Sequence, residues 1–224
     1  MNEEKLRVYH FVPERFGILD LINRRIKIAR IADLNDPFEF LPACPTAAGR
    51  KIIRDFKRRA HESIGLICFS KGRRNPVLWS HYADGHKGLC FGFDVPKAHV
   101  KKVKYSATRT VADMPSIFAG MESGEAEIRR WLGTKYNHWS YEQELRTEVI
   151  LKDDERHADG NWYQDFSPDL RLAEVIVGER CKLTRLSVNN ALGELAPHVE
   201  LWKARLAFGK RYEAVRQHSR KMWP

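Results

Sequence analysis

Apolar and polar positions alternate from Leu6 to Val12, the period of a strand with one buried face, and Pro13 follows where proline opens a helix. Ile18, Leu19 and Ile22 predict the apolar face of that helix. Lys27 to Ala29 predicts a short strand leading into Asp33-Leu34-Asn35-Asp36-Pro37, a turn-forming stretch. From Arg50 to Ile64, Ile52, Ile53, Phe56 and Ala60 recur at helical spacing with basic residues outside, which predicts an amphipathic helix packed on a sheet. Leu66 to Ser70 and Leu89 to Asp94 are short apolar runs suited to buried strands. Pro76 to Gly85, between them, starts on proline and stops at glycine as a short helix does. Further strands are predicted at His99 to Tyr105, Leu145 to Leu151, Ala173 to Val177 and Val199 to Phe208, and helices at Ile117 to Tyr136 and Thr184 to Leu195. Strands and helices without regular alternation imply an α+β fold with a mixed sheet and flanking helices. No repeat or linker divides the 224 residues, so 1–224 reads as a single domain, with a basic C-terminal extension from about 182.

Charge adds a question of partner. Lys and Arg total 39 against 29 Asp and Glu, a net charge of +10. Arg50 to Arg59 carries six of the cations against Asp55 alone, and Lys182 to Pro224 carries nine against three Glu. Such clusters suit a DNA or RNA partner, and equally a solvated helix face and a solubilising tail. No apolar run approaches the roughly 20 residues that cross a bilayer, and Met1 to Arg7 lacks the features of a signal peptide. The expectation is a cytoplasmic protein with no membrane partner. Cys44, Cys68, Cys90 and Cys181 stand far apart, without the paired spacing of zinc or redox sites, and read as reduced thiols.

Four polar and aromatic clusters remain once the core pattern is subtracted: Tyr9-His10, Asn35-Asp36-Pro37-Phe38-Glu39, Cys68 to Ser70 through Trp79 to Asp84, and Trp139 to Arg146. In the last, Glu142 and Glu144 precede an apolar run at a spacing that puts both carboxylates on one strand face. Carboxylates held side by side repel, which raises the pKa of one and suits the pair to divided labour. Two exposed strand carboxylates are the plain alternative, with Arg146 pairing with Glu144 at the surface. His10 reads as a core histidine or a ligand-binding one. Asn35 and Asp36 before proline read first as turn formers. Trp79 and Tyr82 form one helical stripe, and Tyr82 can also offer a platform to a ligand ring. His81 and His86 flank Asp84, but five helical residues rotate them about 140° apart, so no metal site is expected. Dinucleotide, P-loop, hydrolase and deaminase signatures are absent from the sequence.

In their order along the chain these clusters resemble the largely bacterial family called domain of unknown function 2971. The residues that carry the resemblance are Tyr9-His10, Leu34 to Glu39, Cys68 to Ser70, Trp79 to Asp84 with Lys87-Gly88, Leu89 to Asp94, and Trp139 to Arg146, which together span about residues 8 to 180. The layout is also similar to the ADP-ribosyltransferase fold, in which a His or Arg on the first strand, a Ser, Thr or Tyr on a middle strand and helix, and a Glu on a later strand appear in this order. His10, Ser70 with Tyr82, and Glu142-x-Glu144 hold those places here. The resemblance implies a split sheet, NAD as co-substrate and transfer of ADP-ribose to a macromolecular acceptor, nucleic acid being mildly favoured, as in toxins and phage-defence effectors. Glu144 would stabilise the positively charged ribose and Glu142 would deprotonate or orient the acceptor. His10 and Tyr9 would bind NAD, with Ser70 supporting the site, Tyr82 or Trp79 stacking on nicotinamide, and Asn35 beside them. Asp36, Glu39, His81 and Arg146 are further pocket candidates. A nucleic-acid-binding or nuclease-like protein, holding a divalent ion on Asp36, Glu39, His81 and Glu144, is the alternative, and a pocket that binds a nucleotide without turnover is a third.

Overall fold

The computed structural model describes residues 4–118 and 121–223. Its first half runs β1 (Lys5–Val12), α1 (Glu14–Asn23), β2 (Arg25–Arg30), α2 (Ala47–Ser63), β3 (Ile64–Ser70), α3 (Pro76–Tyr82) and β4 (Leu89–Pro96). Then follow β5 (Lys101–Lys102), β6 (Lys104–Ser106), α4 (Met114–Phe118), α5 (Met121–Leu132), β7 (Thr134–Tyr136) and β8 (Glu144–Ile150). The chain closes with β9 (Trp162–Asp165), β10 (Arg171–Val177), α6 (Arg185–Leu192), β11 (Glu200–Leu206) and β12 (Ala214–Arg216).

Ten strands form one mixed sheet along the path β12-β11-β10-β4-β1-β3-β2-β9, with β8 on β3 and β5 on β8, while β6 and β7 pair separately. The fold is thus a single mixed α/β domain. β4 lies at its centre. Leu89, Phe91, Phe93 and Val95 enter the main apolar core, and Cys90 enters a smaller one with Trp79, Ile176 and Trp202, because alternate side chains leave opposite faces. A third cluster joins Ile53 and Ala60 of α2 to Leu66, Phe40 and Trp131.

One irregularity positions everything that follows. β8 pairs with β3 from Ile64 to Ser70, occupying that whole edge. The opposite edge of β3 is shared: β1 meets it at Tyr9 and Ser70, and β2 meets it at Leu66 and Gly65. Between those contacts the sheet opens, and the His10 side chain spans the opening with Nδ1 3.0 Å from the Cys68 carbonyl.

Several expectations need correction. The helix expected from Ile117 to Tyr136 ends early: α5 stops at Leu132 ahead of Gly133, and Thr134–Tyr136 is a strand, as its β-branched and aromatic residues favour, while residues 119 and 120 of that expectation lie outside the described residues. The strand expected over His99 to Tyr105 is two short ones with different partners, β5 on β8 and β6 on β7. Neither β9 nor β12 was expected. The residues from 182 onward are no appendage, since β11 pairs in parallel with β10 and Trp202 donates to the buried Glu174 carboxylate at 2.8 Å.

On α1 the expected apolar face is split: Ile18 packs against the core, and its two companions are turned outward. Leu19 and Ile22 are 50% and 58% exposed, and Gly17, Asp20 and Leu21 face inward. The reason is a close approach at Gly17, where a Cβ would lie 2.8 Å from a Leu89 methyl. That contact buries the Asp20 carboxyl, and burial, offset in part by Arg25, raises its pKa to about 7. An acid whose folded pKa is raised contributes stability below its unfolded value near 3.8, and that contribution is lost as pH rises through 7. Asp20→Asn should therefore gain stability relative to the native chain as pH rises from 4 to 8. Chemical denaturation at several pH values reads this directly; parallel curves would mean that Asp20 ionises freely in the fold.

Candidate functional site

The opening between β1 and β3 is the floor of a cleft of about 170 Å³, whose lining includes Tyr9, His10, Ser70, Tyr82, Glu142 and Glu144. Residues of the first strand and of a segment far along the chain thus meet in one place. Asn35 is exposed at the same cleft, and Glu39 forms part of its wall.

Glu144 opens β8 opposite Ser70, and Arg146 shares its strand face. Glu142 is not on that strand. It ends a 3-10 turn over Asn137–Glu142, and Gln143, with φ of 47°, swings the chain from the turn into β8. The carboxylates are brought together by Lys135 on β7, whose ammonium lies 2.7 Å from Glu142 and 3.2 Å from Glu144. Lys135 also stands 3.2 Å from Glu39. Arg146 holds Glu144 through Nε at 2.6 Å and Nη2 at 2.9 Å, and its Nη2 also donates to Glu39. The surface ion pair expected of Arg146 is in fact the centre of a buried network, each member being 6% exposed or less.

Three carboxylates against two cations leave this network one negative charge in excess. Burial alone would raise Glu144, but Arg146 and Lys135 outweigh it and hold its pKa at about 2. Burial raises Glu142, and Lys135 and Tyr82 offset that only in part. The two carboxylates are therefore driven apart, one a permanent anion and the other more easily protonated. Burial likewise lowers Lys135, but Glu144, Glu39 and Glu142 reverse the sign and keep it charged.

The neighbours of the pair are themselves fixed. The Tyr82 hydroxyl donates to Glu142, and the Ser70 hydroxyl lies 2.7 Å from the Glu142 carbonyl, tying the end of β3 to the turn. The Glu144 amide donates to the Tyr105 hydroxyl at 2.8 Å. Burial lowers the His10 pKa, with the Cys68 carbonyl opposing it. Because a carbonyl only accepts, Nδ1 carries the proton and Nε2 is the acceptor of the neutral ring.

Other candidates take different places. Trp79 is wholly buried, with Nε1 donating to the Arg73 carbonyl at 2.7 Å and Phe11 and His86 against its rings, so it packs the core and offers no platform. Tyr82, three residues on and rotated toward the cleft, is half-buried and keeps a face on it. His81 is exposed and lies 3.0 Å from the Tyr141 hydroxyl, apart from the carboxylates with which a metal reading would group it. Among the described residues no three His, Cys, Asp or Glu side chains are grouped to hold a metal ion. Asp36 forms the expected turn, accepting from the Phe38 amide at 2.9 Å.

Sequence patterns missed two features. One is Lys135, hidden inside the helix expected to reach Tyr136. The other is a basic cavity of about 430 Å³ at the end of the cleft, sharing Tyr9, Ser70 and Leu78 with it. Arg7, Lys71, Arg73 and Arg74 line this cavity; no acid lines it, though Arg7 pairs with Asp94, Arg73 with Glu174 and Arg74 with Glu213. Arg73 is anchored by the Tyr9 hydroxyl at 3.0 Å and sits over the Tyr9 and Trp202 rings. The run Lys71-Gly72-Arg73-Arg74 reads as an ordinary solvated turn, and only the fold sets it beside Arg7. The larger basic segments do not converge on the cleft: α2 packs against β3, while β11 and β12 form the far edge of the sheet, beyond β10, β4 and β1.

The family model described as Protein of unknown function (DUF2971) matches residues 78–147 of this chain. The match takes in Tyr82, Lys135, Glu142, Glu144 and Arg146, and is shorter than the 8 to 180 span of the shared motifs, leaving out Tyr9, His10, Glu39 and Ser70. No curated protein and no solved structure matches the chain. Among the described residues no helix is long and apolar enough to cross a membrane.

Proposed function

We propose that this chain is an NAD-dependent ADP-ribosyltransferase, acting on a macromolecular acceptor. The observation that carries this reading is the charge pattern: an acidic cleft with two differently tuned carboxylates, continuous through Tyr9 and Ser70 with a cavity lined by four cations. NAD has the matching pattern. Its nicotinamide riboside end is cationic, and its diphosphate is anionic.

With the riboside end in the cleft, breaking the bond between ribose C1′ and the nicotinamide nitrogen sends the electron pair to the ring and leaves positive charge on the sugar. Glu144, held ionised by Arg146 and Lys135, is a fixed anion for that charge and needs no reorganisation as it develops. The acceptor heteroatom then bonds to C1′ and gives up its proton. Glu142, with its raised pKa, suits that proton better than Glu144 does. His10 Nε2 suits a ribose hydroxyl as donor, and Tyr82 supplies an aromatic face beside the ring. Arg7, Lys71, Arg73 and Arg74 suit the diphosphate.

Release of nicotinamide from NAD, followed by chromatography, tests the reading. Replacing the exposed Lys71 and Arg74 together by Gln is expected to raise KM for NAD about tenfold, to flatten its dependence on salt, and to leave kcat and the melting temperature nearly unchanged. An unaltered KM would remove the diphosphate from this cavity.

A further inference from the structure

The hairpin at the C-terminal edge of the sheet ends in side chains that the fold does not use. β11 and β12 pair antiparallel as far as Leu206 and Ala214, and the Ala207 amide donates to the Glu213 carbonyl at 2.9 Å, so Phe208 to Tyr212 form the tip. Phe208 and Tyr212 stand on the two arms of that tip and are 94% and 93% exposed. Between them lie Gly209, Lys210 and Arg211, all exposed. The Arg205 guanidinium is 5.1 Å from the centre of the Phe208 ring. From Lys203 to Arg216 the chain carries Lys203, Arg205, Lys210, Arg211 and Arg216 against Glu213 alone, and that acid is already shared by Arg74 at 3.7 Å and Arg211 at 4.0 Å. A lone exposed ring is ordinary. Two on one tip with cations between them add nothing to the core, and they offer aromatic faces and positive charge in the same place.

The hairpin is also joined to the site. Although β12 is the last strand of the sheet, the segment that follows β3 reaches it, and the Ala214 amide donates to the Arg74 carbonyl at 2.8 Å. Arg74 lines the basic cavity, and Asn75 beside it donates through Nδ2 to the Tyr141 carbonyl at 3.2 Å, one residue before Glu142. Two consecutive residues thus connect the hairpin with the turn that carries Glu142. We propose that the hairpin tip binds a single-stranded nucleic acid, with Phe208 and Tyr212 stacking on its bases and Arg205, Lys210 and Arg211 meeting its phosphates. Only an unpaired strand offers base faces to such rings, because the bases of a duplex are stacked on one another. Every base has such a face, so little sequence preference is expected. An anionic membrane would meet the same charge, but Phe208 to Tyr212 includes no aliphatic side chain to enter it. Binding stands on the hairpin alone. That the bound strand is also the ADP-ribose acceptor rests on the transferase reading.

Fluorescence anisotropy of the full chain with a labelled single strand of about 12 nucleotides and mixed sequence, and with its duplex, tests the proposal. Replacing Phe208 and Tyr212 together by Ser is expected to weaken the single strand by about tenfold or more and the duplex little. The melting temperature should not move, since both rings stand outside the core. Lys210→Gln with Arg211→Gln should lower the slope of log Kd against log salt for the single strand by about 1.4, the value for two phosphate contacts, whereas the ring variant should keep the native slope. Native affinity for the single strand in the ring variant would overturn the proposal, as would failure of the native chain to bind the strand at low salt. If the ring variant instead loses binding to vesicles of phosphatidylserine and phosphatidylcholine and keeps the oligonucleotide, the tip belongs to a membrane and the proposal falls. Ring-dependent binding of the strand by a protein that releases no nicotinamide from NAD would uphold the hairpin and count against the transferase alone.

Discussion

Glu144→Gln is expected to lower nicotinamide release by about 10²- to 10³-fold, with kcat carrying the loss and KM for NAD nearly unchanged. The substitution keeps shape and removes the fixed anion proposed to face the ribose, which matters only when positive charge appears there. Glu142→Gln should have a different signature. With Glu142 proposed to take the acceptor proton, its loss is expected to suppress transfer more than hydrolysis of NAD, since water can lose its proton to solvent. Parallel assays of nicotinamide release and of labelled ADP-ribose on a nucleic acid separate the two. If Glu144→Gln turns NAD over at the native rate, the carboxylate has no part in the reaction.

The largest effect on stability is expected at Arg146. Its guanidinium serves Glu144, Glu39 and the Leu132 carbonyl at 2.7 Å, and all of these are buried. Arg146→Met keeps most of the volume and leaves Lys135 alone to serve three buried carboxylates, which should cost about 3–5 kcal/mol at neutral pH. The pH dependence should invert as well. In the native chain Glu144 has a depressed pKa of about 2, so it stabilises the fold above its unfolded value near 4.5, and that contribution is lost as pH falls from 4.5 towards 2. Without Arg146, burial dominates and raises the Glu144 pKa, so the variant should recover part of its deficit as pH falls below neutrality. Urea denaturation of both proteins between pH 3 and 8 shows the two slopes. A variant that loses stability in parallel with the native chain on acidification would contradict the network as described.

Much of this site was legible from the residues themselves, for identifiable reasons. His10 and Glu144 were readable as partners because each stands on an apolar strand, and strands of one sheet meet whatever their separation in sequence. Asp36 was readable as a turn former because its carboxylate serves the amide two residues on. Trp79 was not: positions i and i+3 lie near one helix face, and pattern alone does not say which of Trp79 and Tyr82 enters the core. Lys135 was hidden because an apolar periodicity continues through Leu132, and a single Gly133 separates helix from strand. The split of the sheet depends on which strands share the free edge of β3, a long-range choice that no local pattern encodes. The exposure of Leu19 and Ile22 on α1 goes with one close contact at Gly17, which sets Gly17, Asp20 and Leu21 toward the sheet.

Where the two ends of NAD lie decides the proposed function. A crystal structure of the protein with an NAD analogue whose ribose ring oxygen is replaced by carbon, so that the nicotinamide bond stays intact, measures this directly. The ribose is predicted between His10 and Glu144, with nicotinamide against Tyr82 and the diphosphate on Arg73 and Arg74. An analogue bound with its diphosphate elsewhere and its nicotinamide outside the Glu142 and Glu144 cleft would contradict the assignment.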